Sequence, residues 1–134
     1  MTSTFAVTVG AGSLSSLVQR DIVIPHAWTA EGVTVELQFT GAHLLHLAVA
    51  ACVLNDLYRE AARTGLDLRG VKVSANGDFD RETWSSTGIT YHVEIDTDAS
   101  DAAKAELIRL VDELAEIPRA LRHQSAVRRG EQPQ

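Results

Sequence analysis

The segment that most constrains this chain runs from Ala42 to Thr64, which contains neither proline nor glycine and is followed by Gly65. Thr40 is a favourable N-cap residue and Gly65 a favourable helix stop, so the sequence predicts one helix of about six turns. The first half of this helix is apolar on nearly every side, which is typical of a helix buried inside the molecule. The second half is amphipathic, so we expect the helix to emerge toward water.

Strand patterns lie on both sides of the helix, at residues 5–9, 17–24, 33–39, 71–75 and 89–95. Residues 33–39 alternate strictly between apolar and polar side chains, which predicts a half-buried strand. A glycine-rich turn at 10–13 predicts an N-terminal hairpin, and turn residues between 76 and 88 predict an antiparallel pair.

Two shorter helices are predicted near the C-terminus. Ser100 can cap the first, whose apolar stripe runs from Leu107 to Ala115, and Pro118 is expected to break it before a short helix from Ala120 to His123. The element order predicts an α+β domain over residues 1–134, with antiparallel sheets packed around a long buried central helix. Because one thin sheet covers one side of that helix, we expect a homodimer to cover the other.

Composition excludes several classes of function. The formal charge of −6 opposes nucleic-acid binding, and the apolar run 44–54 is about half the ~20 residues that span a bilayer. No secretory signal precedes it, so a cytoplasmic protein without a membrane partner is expected. The C-terminal arginines, from Arg119 to Arg129, are interpreted as helix-end charge and a solvated tail, and residues 130–134 as a frayed end.

Cys52, the single cysteine, falls in the buried half of the central helix. A thiol there is either a small core residue or a nucleophile in a buried pocket. Asp56 lies one helical turn further on, so the nearest predicted charge is negative and disfavours the thiolate. His43 and His46 do not share the helix face of Cys52, and we interpret them as hydrogen-bonded histidines rather than a metal site; no metal or cofactor is expected.

Two segments carry a resemblance to a known family: 44–52, Leu-Leu-His-Leu-Ala-Val-Ala-Ala-Cys, and 63–73, Arg-Thr-Gly-Leu-Asp-Leu-Arg-Gly-Val-Lys-Val. They resemble the centre of the OsmC/Ohr family, the osmotically inducible and organic hydroperoxide resistance proteins. The resemblance implies an intertwined homodimer, a stress-response role, and two sites at the subunit interface, each built around the central-helix cysteine. It assigns Cys52 as the thiol that attacks a hydroperoxide, to be re-reduced by an external thiol.

The chain departs from the family pattern at two places. The second cysteine of the family, which precedes a proline, is replaced by Ile117, and the acidic residue near the start of the central helix is replaced by Ala42. Arg20 is the candidate for the family arginine that supports the thiolate. A sulfenic acid on Cys52 could not form an internal disulfide and would need an external thiol.

Two hypotheses therefore stand. The first is a one-cysteine hydroperoxide reductase that uses Cys52 and Arg20. The second is a dimer that keeps the fold but binds or transforms a different small apolar molecule. A third option, acyl transfer by Cys52, requires a base that the sequence does not locate. Trp84, in a polar loop, is interpreted as a pocket lid or a dimer contact.

Overall fold

A single antiparallel sheet of five strands forms one layer of the fold. The computed structural model describes residues 4–123 and 126–130. The strands follow the spatial order β2-β3-β1-β4-β5, with these bounds: β1 Val7–Gly12, β2 Ile22–Ile24, β3 Val33–Glu36, β4 Leu68–Phe79 and β5 Ser86–Thr97. Three helices complete the fold within these described residues: α1 Gly41–Thr64, α2 Asp101–Leu114 and α3 Glu116–Arg122. The predicted α+β class is confirmed.

The central helix α1 has the ends that the sequence predicts. The Thr40 hydroxyl accepts from the His43 amide, and Gly65 adopts φ 76° while its N–H donates to Ala61. Leu54 and Leu57 of α1 are fully buried in the core against the sheet. By length and composition α1 could also span a membrane, but half of its most apolar window is buried in the molecule, as in an ordinary core helix.

The second half of α1 is less exposed than its amphipathic pattern predicts. Asp56 is completely buried and Glu60 is 2% exposed. Arg59 contacts both carboxylates, and Arg63 contacts Glu60 at 2.8 Å. Buried carboxylates are tolerated where cations and hydrogen bonds compensate them, so these arginines explain the difference.

The predicted hairpin of residues 5–9 with 17–24 is wrong. β1 continues through Gly10 and Gly12 and pairs with β3 on one side and β4 on the other, whereas β2 pairs with β3. A Cβ at Gly10 would lie 2.4 Å from the Leu14 carbonyl oxygen, and Gly12 has φ 60°. The glycines therefore allow the following backbone to pass close to the end of β1, and they do not form a hairpin turn.

Two further boundaries differ from the sequence expectation. Gly77 lies inside β4, opposite Ile89, so the turn of the β4–β5 hairpin falls at 80–85. Pro118 does not end a helix: α3 begins at Glu116 and holds Pro118 in its first turn. The N–H groups of the first helical turn have no intrahelical acceptor, so a proline at this position costs no hydrogen bond.

A band of large apolar side chains is exposed along the N-terminal half of the chain. Leu17 is 95% and Phe39 89% exposed, and the edge strand β2 exposes all three of its residues. Exposed apolar side chains beside an open sheet edge are the kind of surface that a second chain covers. Arg128, Arg129 and Gly130 are exposed, and the rest of the predicted tail lies outside the described residues.

Candidate functional site at Cys52

The Cys52 thiol lies where α1 meets the start of α3. It is 8% exposed. Its sulfur donates a long hydrogen bond to Asp56 Oδ2 at 3.9 Å, and the backbone N–H of Ile117 points back to the sulfur. The site thus joins the middle of the central helix to a segment more than sixty residues away.

Two carboxylates face this thiol from different elements. Asp56 follows Cys52 by one turn of α1, and Glu116 is the first residue of α3, immediately after the extended Ala115 ends α2. The Cys52 sulfur and one oxygen of each carboxylate all lie within 4.8 Å of one another. Arg59 contacts the cluster through Asp56, with 3.2 Å between Nη1 and Oδ1.

The surroundings of Cys52 favour the protonated thiol. Burial, followed by the negative charges of Asp56 and Glu116, raises the pKa of Cys52 to about 11, although the Ile117 amide acts in the opposite direction. A thiol with that pKa is almost entirely protonated at neutral pH. The nucleophilic thiolate is therefore a minor species in this chain.

The two carboxylates differ in their own proton affinity. Burial raises the pKa of Asp56, despite the hydrogen bond from Asn55 and the charge of Arg59. The pKa of Glu116 is lowered, first by its own backbone N–H and then by its hydrogen bonds with Cys52 and Asp56. As the pH falls, Asp56 therefore takes up a proton before Glu116 does.

This cluster also offers the donor set of a metal site. Among the described residues, Cys52, Asp56 and Glu116 form the group that could give one ion three ligands. Thiolate and carboxylate ligands suit a divalent ion such as Zn²⁺. The Arg59 guanidinium already balances charge at Asp56, which opposes a second cation there.

Arg20 is not brought to the thiol within one chain. It is exposed in the turn that precedes β2, and the groups that act on Cys52 in the described residues are Asp56, Glu116 and the Ile117 amide. Ile117 packs partly buried against the core, which leaves no side-chain thiol beside Cys52. Ala42 contributes only its carbonyl, which accepts from His46 Nδ1 at 2.6 Å.

The helix histidines form local contacts, as predicted. His43 Nδ1 hydrogen-bonds the Thr40 hydroxyl, and His46 packs against the Phe5 and Phe79 rings. The group of three potential ligands at Cys52 includes neither histidine. His46 Nε2 has no hydrogen-bond partner among the described residues.

A cavity of about 430 Å³ lies between α1, β5 and α3, and the two helices also hold the Cys52 cluster. Its apolar walls come from Leu45, Val49, Ile89, Pro118 and Leu121, and its polar rim from Ser85, Ser86, Tyr91 and Arg122. Val49 precedes Cys52 by one helical turn, and Pro118 follows Ile117, so the cavity and the thiol share both of their framing elements. The lining suits a small, mainly apolar molecule.

Trp84 stands next to this cavity in the β4–β5 turn. It is 67% exposed and has φ 60°, an unusual conformation for tryptophan. The turn holds it through the Asp80 carbonyl, which accepts from the Trp84 amide at 2.8 Å. Its place beside Ser85 is compatible with both predicted roles, a pocket lid and a dimer contact.

Sequence reasoning missed Glu116. Its contact with the thiol depends on the abrupt α2–α3 junction at Ala115, which no local pattern predicts. The family resemblance offers one signal for it. The second cysteine of the family corresponds to Ile117 and lies near the first, so the preceding residue, Glu116, is also expected close to Cys52.

Comparison with known proteins agrees with the fold. The family model described as "OsmC-like protein" matches residues 33–128. An OsmC-like protein from Mycoplasma pneumoniae has a similar structure, with TM-score 0.60, 14% identity, and coverage of 92% of this chain and 91% of that chain. An OsmC-like hydroperoxide resistance protein from Jannaschia sp. CCS1 gives TM-score 0.54 and 9% identity over 92% and 90% of the two chains. No curated protein sequence matches the chain.

The fold and the central-helix thiol define an OsmC/Ohr-like protein. Since the family model covers more than half of the residues, this chain belongs to the OsmC family. The two solved structures share little sequence with it and therefore support the fold alone.

Proposed function

We propose that this protein is an OsmC-like homodimer that binds a small apolar molecule in the cavity between α1, β5 and α3, with the thiol kept protonated. The observation that carries the proposal is the pairing of a buried thiol with two carboxylates and no cation in direct contact with the sulfur within the described chain. A fast peroxidatic thiol needs the opposite environment, with positive charge at the sulfur.

The lining of the cavity suits such a ligand. Leu45, Val49 and Leu121 present an apolar wall, while Ser85 and Ser86 offer hydroxyls at one rim. A ligand with an apolar body and one neutral polar group would satisfy both surfaces. Arg122 at the rim already contacts the Asp112 side chain at 2.9 Å, so it adds little net charge.

Binding of a fluorescent apolar dye, displaced by candidate ligands, would test this proposal with three proteins: the wild type, Cys52→Ser and Val49→Asp. We expect Cys52→Ser to bind the dye with nearly wild-type affinity and Val49→Asp to lose it, because a carboxylate in the wall excludes apolar ligands. Leu114→Asp, at a position 40% exposed and outside the cavity, is the control for an added carboxylate, and circular dichroism checks that Val49→Asp, at a position 2% exposed, is folded. Equal dye binding by Val49→Asp and the wild type would overturn the proposal.

One-cysteine hydroperoxide reduction is the second candidate, favoured by the presence of Cys52 at the family position. The Cys52 sulfur would attack the terminal oxygen of the hydroperoxide, forming an S–O bond as the O–O bond breaks and the alkoxide leaves to take a proton. An external thiol would then form a mixed disulfide with release of water, and a second thiol would restore Cys52. Glu116 could accept the thiol proton.

This second candidate needs a cation that the single chain does not bring to the sulfur. Arg20 sits between the exposed Val18 and Ile22, in the apolar band that we propose as the dimer surface. In such a dimer, Arg20 of the partner subunit would be the residue that lowers the pKa of the thiol.

Intact-mass analysis after brief exposure to a small organic hydroperoxide, with a sulfenic-acid trap present, separates the two candidates. Rapid stoichiometric trapping that is lost in Cys52→Ser and reduced in Arg20→Gln, but not in the exposed Arg81→Gln, would establish the peroxidatic function. If the thiol is not trapped in the wild type, Arg20→Gln or Arg81→Gln, the peroxidatic function is excluded and ligand binding remains the proposed function.

A further inference from the structure

The polar side chains around the cavity between α1, β5 and α3 differ in how far the protein already uses them. Among the described residues, those that line the cavity with hydrogen-bonding side chains are Ser85, Ser86, Tyr91 and Arg122. Two of the four, Tyr91 and Arg122, are bound to Asp112 of α2. A ligand is recognised by the groups that remain free, so these groups indicate what kind of polar atom the ligand carries.

Tyr91 and Arg122 are both engaged by Asp112. Tyr91 donates its hydroxyl hydrogen to the Asp112 carboxylate. Arg122 donates from Nη2 to Asp112 Oδ1 and from Nη1 to the Asp112 main-chain carbonyl, both at 2.9 Å. The pKa of Asp112 is lowered, first by the hydrogen bond from Tyr91 and then by Arg122, so its carboxylate is charged at neutral pH. The charge of Arg122 is therefore balanced, and the Tyr91 hydrogen is already used.

The two serines lie where the β4–β5 turn enters β5, and each has a hydroxyl hydrogen to offer. The Gly88 N–H donates to Ser86 Oγ at 3.1 Å, which uses the oxygen as an acceptor and leaves its hydrogen free. The Ser85 hydroxyl makes no hydrogen bond to another of the described residues. Both side chains are exposed, so a ligand that takes these hydrogens replaces water and not a protein group.

We propose that the cavity selects ligands with a neutral carbonyl acceptor, such as an ester or a ketone, at one end of an apolar body, with the carbonyl oxygen held by the hydroxyls of Ser85 and Ser86. This inference rests on the ligand-binding function proposed above and names the class of ligand. A carbonyl oxygen has two lone pairs, so it can accept a hydrogen from each serine. The apolar body then lies against Val49 and Leu121.

The same cavity disfavours a fatty acid of equal size, because its carboxylate meets no unbalanced cation. Of the described residues that line the cavity, Arg122 is the one cation, and Asp112 neutralises it. A carboxylate that loses hydration without gaining an ion pair binds less well than a neutral group. The charge of the ligand is therefore a second criterion of selection, independent of the serine hydrogen bonds.

The test is displacement of the apolar dye by three molecules with the same number of non-hydrogen atoms. They are methyl hexanoate, the anion of its isomer heptanoic acid, and propylbenzene, which has no carbonyl. At neutral pH we expect methyl hexanoate to displace the dye from the wild type at about tenfold lower concentration than heptanoate. The double variant Ser85→Ala/Ser86→Ala should bind the ester about fivefold more weakly and propylbenzene as the wild type does, because it loses only hydrogen bonds.

A control and the dye itself separate the possible failures. Thr87→Val removes an exposed hydroxyl next to Ser86 but outside the cavity lining, and it should match the wild type. Equal displacement by heptanoate and methyl hexanoate would overturn this inference, as would wild-type ester affinity in the double serine variant. Either result leaves the binding function intact while Val49→Asp loses the dye. If Val49→Asp keeps the dye, the binding function and this inference both fail. Far-ultraviolet circular dichroism confirms that the variants compared are folded.

Discussion

Cys52 and Asp56 face each other across one turn of the central helix, with 3.9 Å between Sγ and Oδ2. The spacing of four residues makes this contact a direct consequence of the sequence. Because Asp56 is completely buried, water does little to screen its charge from the sulfur. The helix that holds the cysteine of the family thus also holds a residue that opposes its ionisation.

Replacing Asp56 with asparagine should make the thiol more reactive. The substitution removes a charge that raises the pKa of Cys52 and keeps a side chain of similar shape. We expect modification of Cys52 at pH 8 to become about tenfold faster, equivalent to a fall of about one unit in the thiol pKa. Iodoacetamide modification followed by intact mass measures the rate. Asp67→Asn, on the exposed loop after α1, is the control and should leave the rate unchanged.

The central helix and its caps could be predicted because they depend on local signals, namely Thr40, Gly65 and an uninterrupted run between them. The pairing of β1 could not be predicted. Gly10 and Gly12 are compatible with a turn as well as with the close approach of backbone segments that the structure shows. At the site, Asp56 follows from helical spacing. Glu116 depends on how α3 packs against α1, and that contact is set by the whole core.

Glu116→Gln should also raise the reactivity of Cys52, and its effect should not add to that of Asp56→Asn. Each carboxylate interacts with the other as well as with the thiol. Replacing one of them therefore changes the pKa of the other, and with it the charge that the remaining carboxylate places next to the sulfur. We expect the double variant to react more slowly than the product of the two single effects predicts. The same iodoacetamide rates, with Glu113→Gln as control, complete the cycle. Strictly multiplicative effects would show that the carboxylates act independently.

Alkaline pH should destabilise the wild type more than Cys52→Ala. The folded-state pKa of Cys52 is about 11, whereas an unfolded cysteine ionises near pH ~8.5. Because the folded pKa is the higher one, the stabilisation is complete below about pH 8.5 and is lost as pH rises toward 11. We expect the free energy of unfolding to fall by about 2 kcal/mol more in the wild type between pH 8 and pH 10.5. Urea unfolding at both pH values measures this difference. Parallel losses in the two proteins would mean that the thiol ionises normally in the folded state.

Phe39→Glu should weaken the proposed homodimer without unfolding the chain. Phe39 is 89% exposed in the single chain and lies within the band that includes Leu17 and the strand β2. A glutamate in place of this exposed ring removes an anchor from the proposed interface and leaves an unpaired carboxylate there, so we expect dissociation to become at least about thirtyfold more favourable. Sedimentation velocity over a range of concentrations measures the dissociation constant. Thr90→Glu, exposed on the opposite edge strand β5, should sediment like the wild type. If the wild type itself sediments as a monomer at micromolar concentration, this band does not form a dimer interface, and Arg20 then has no route to a second Cys52.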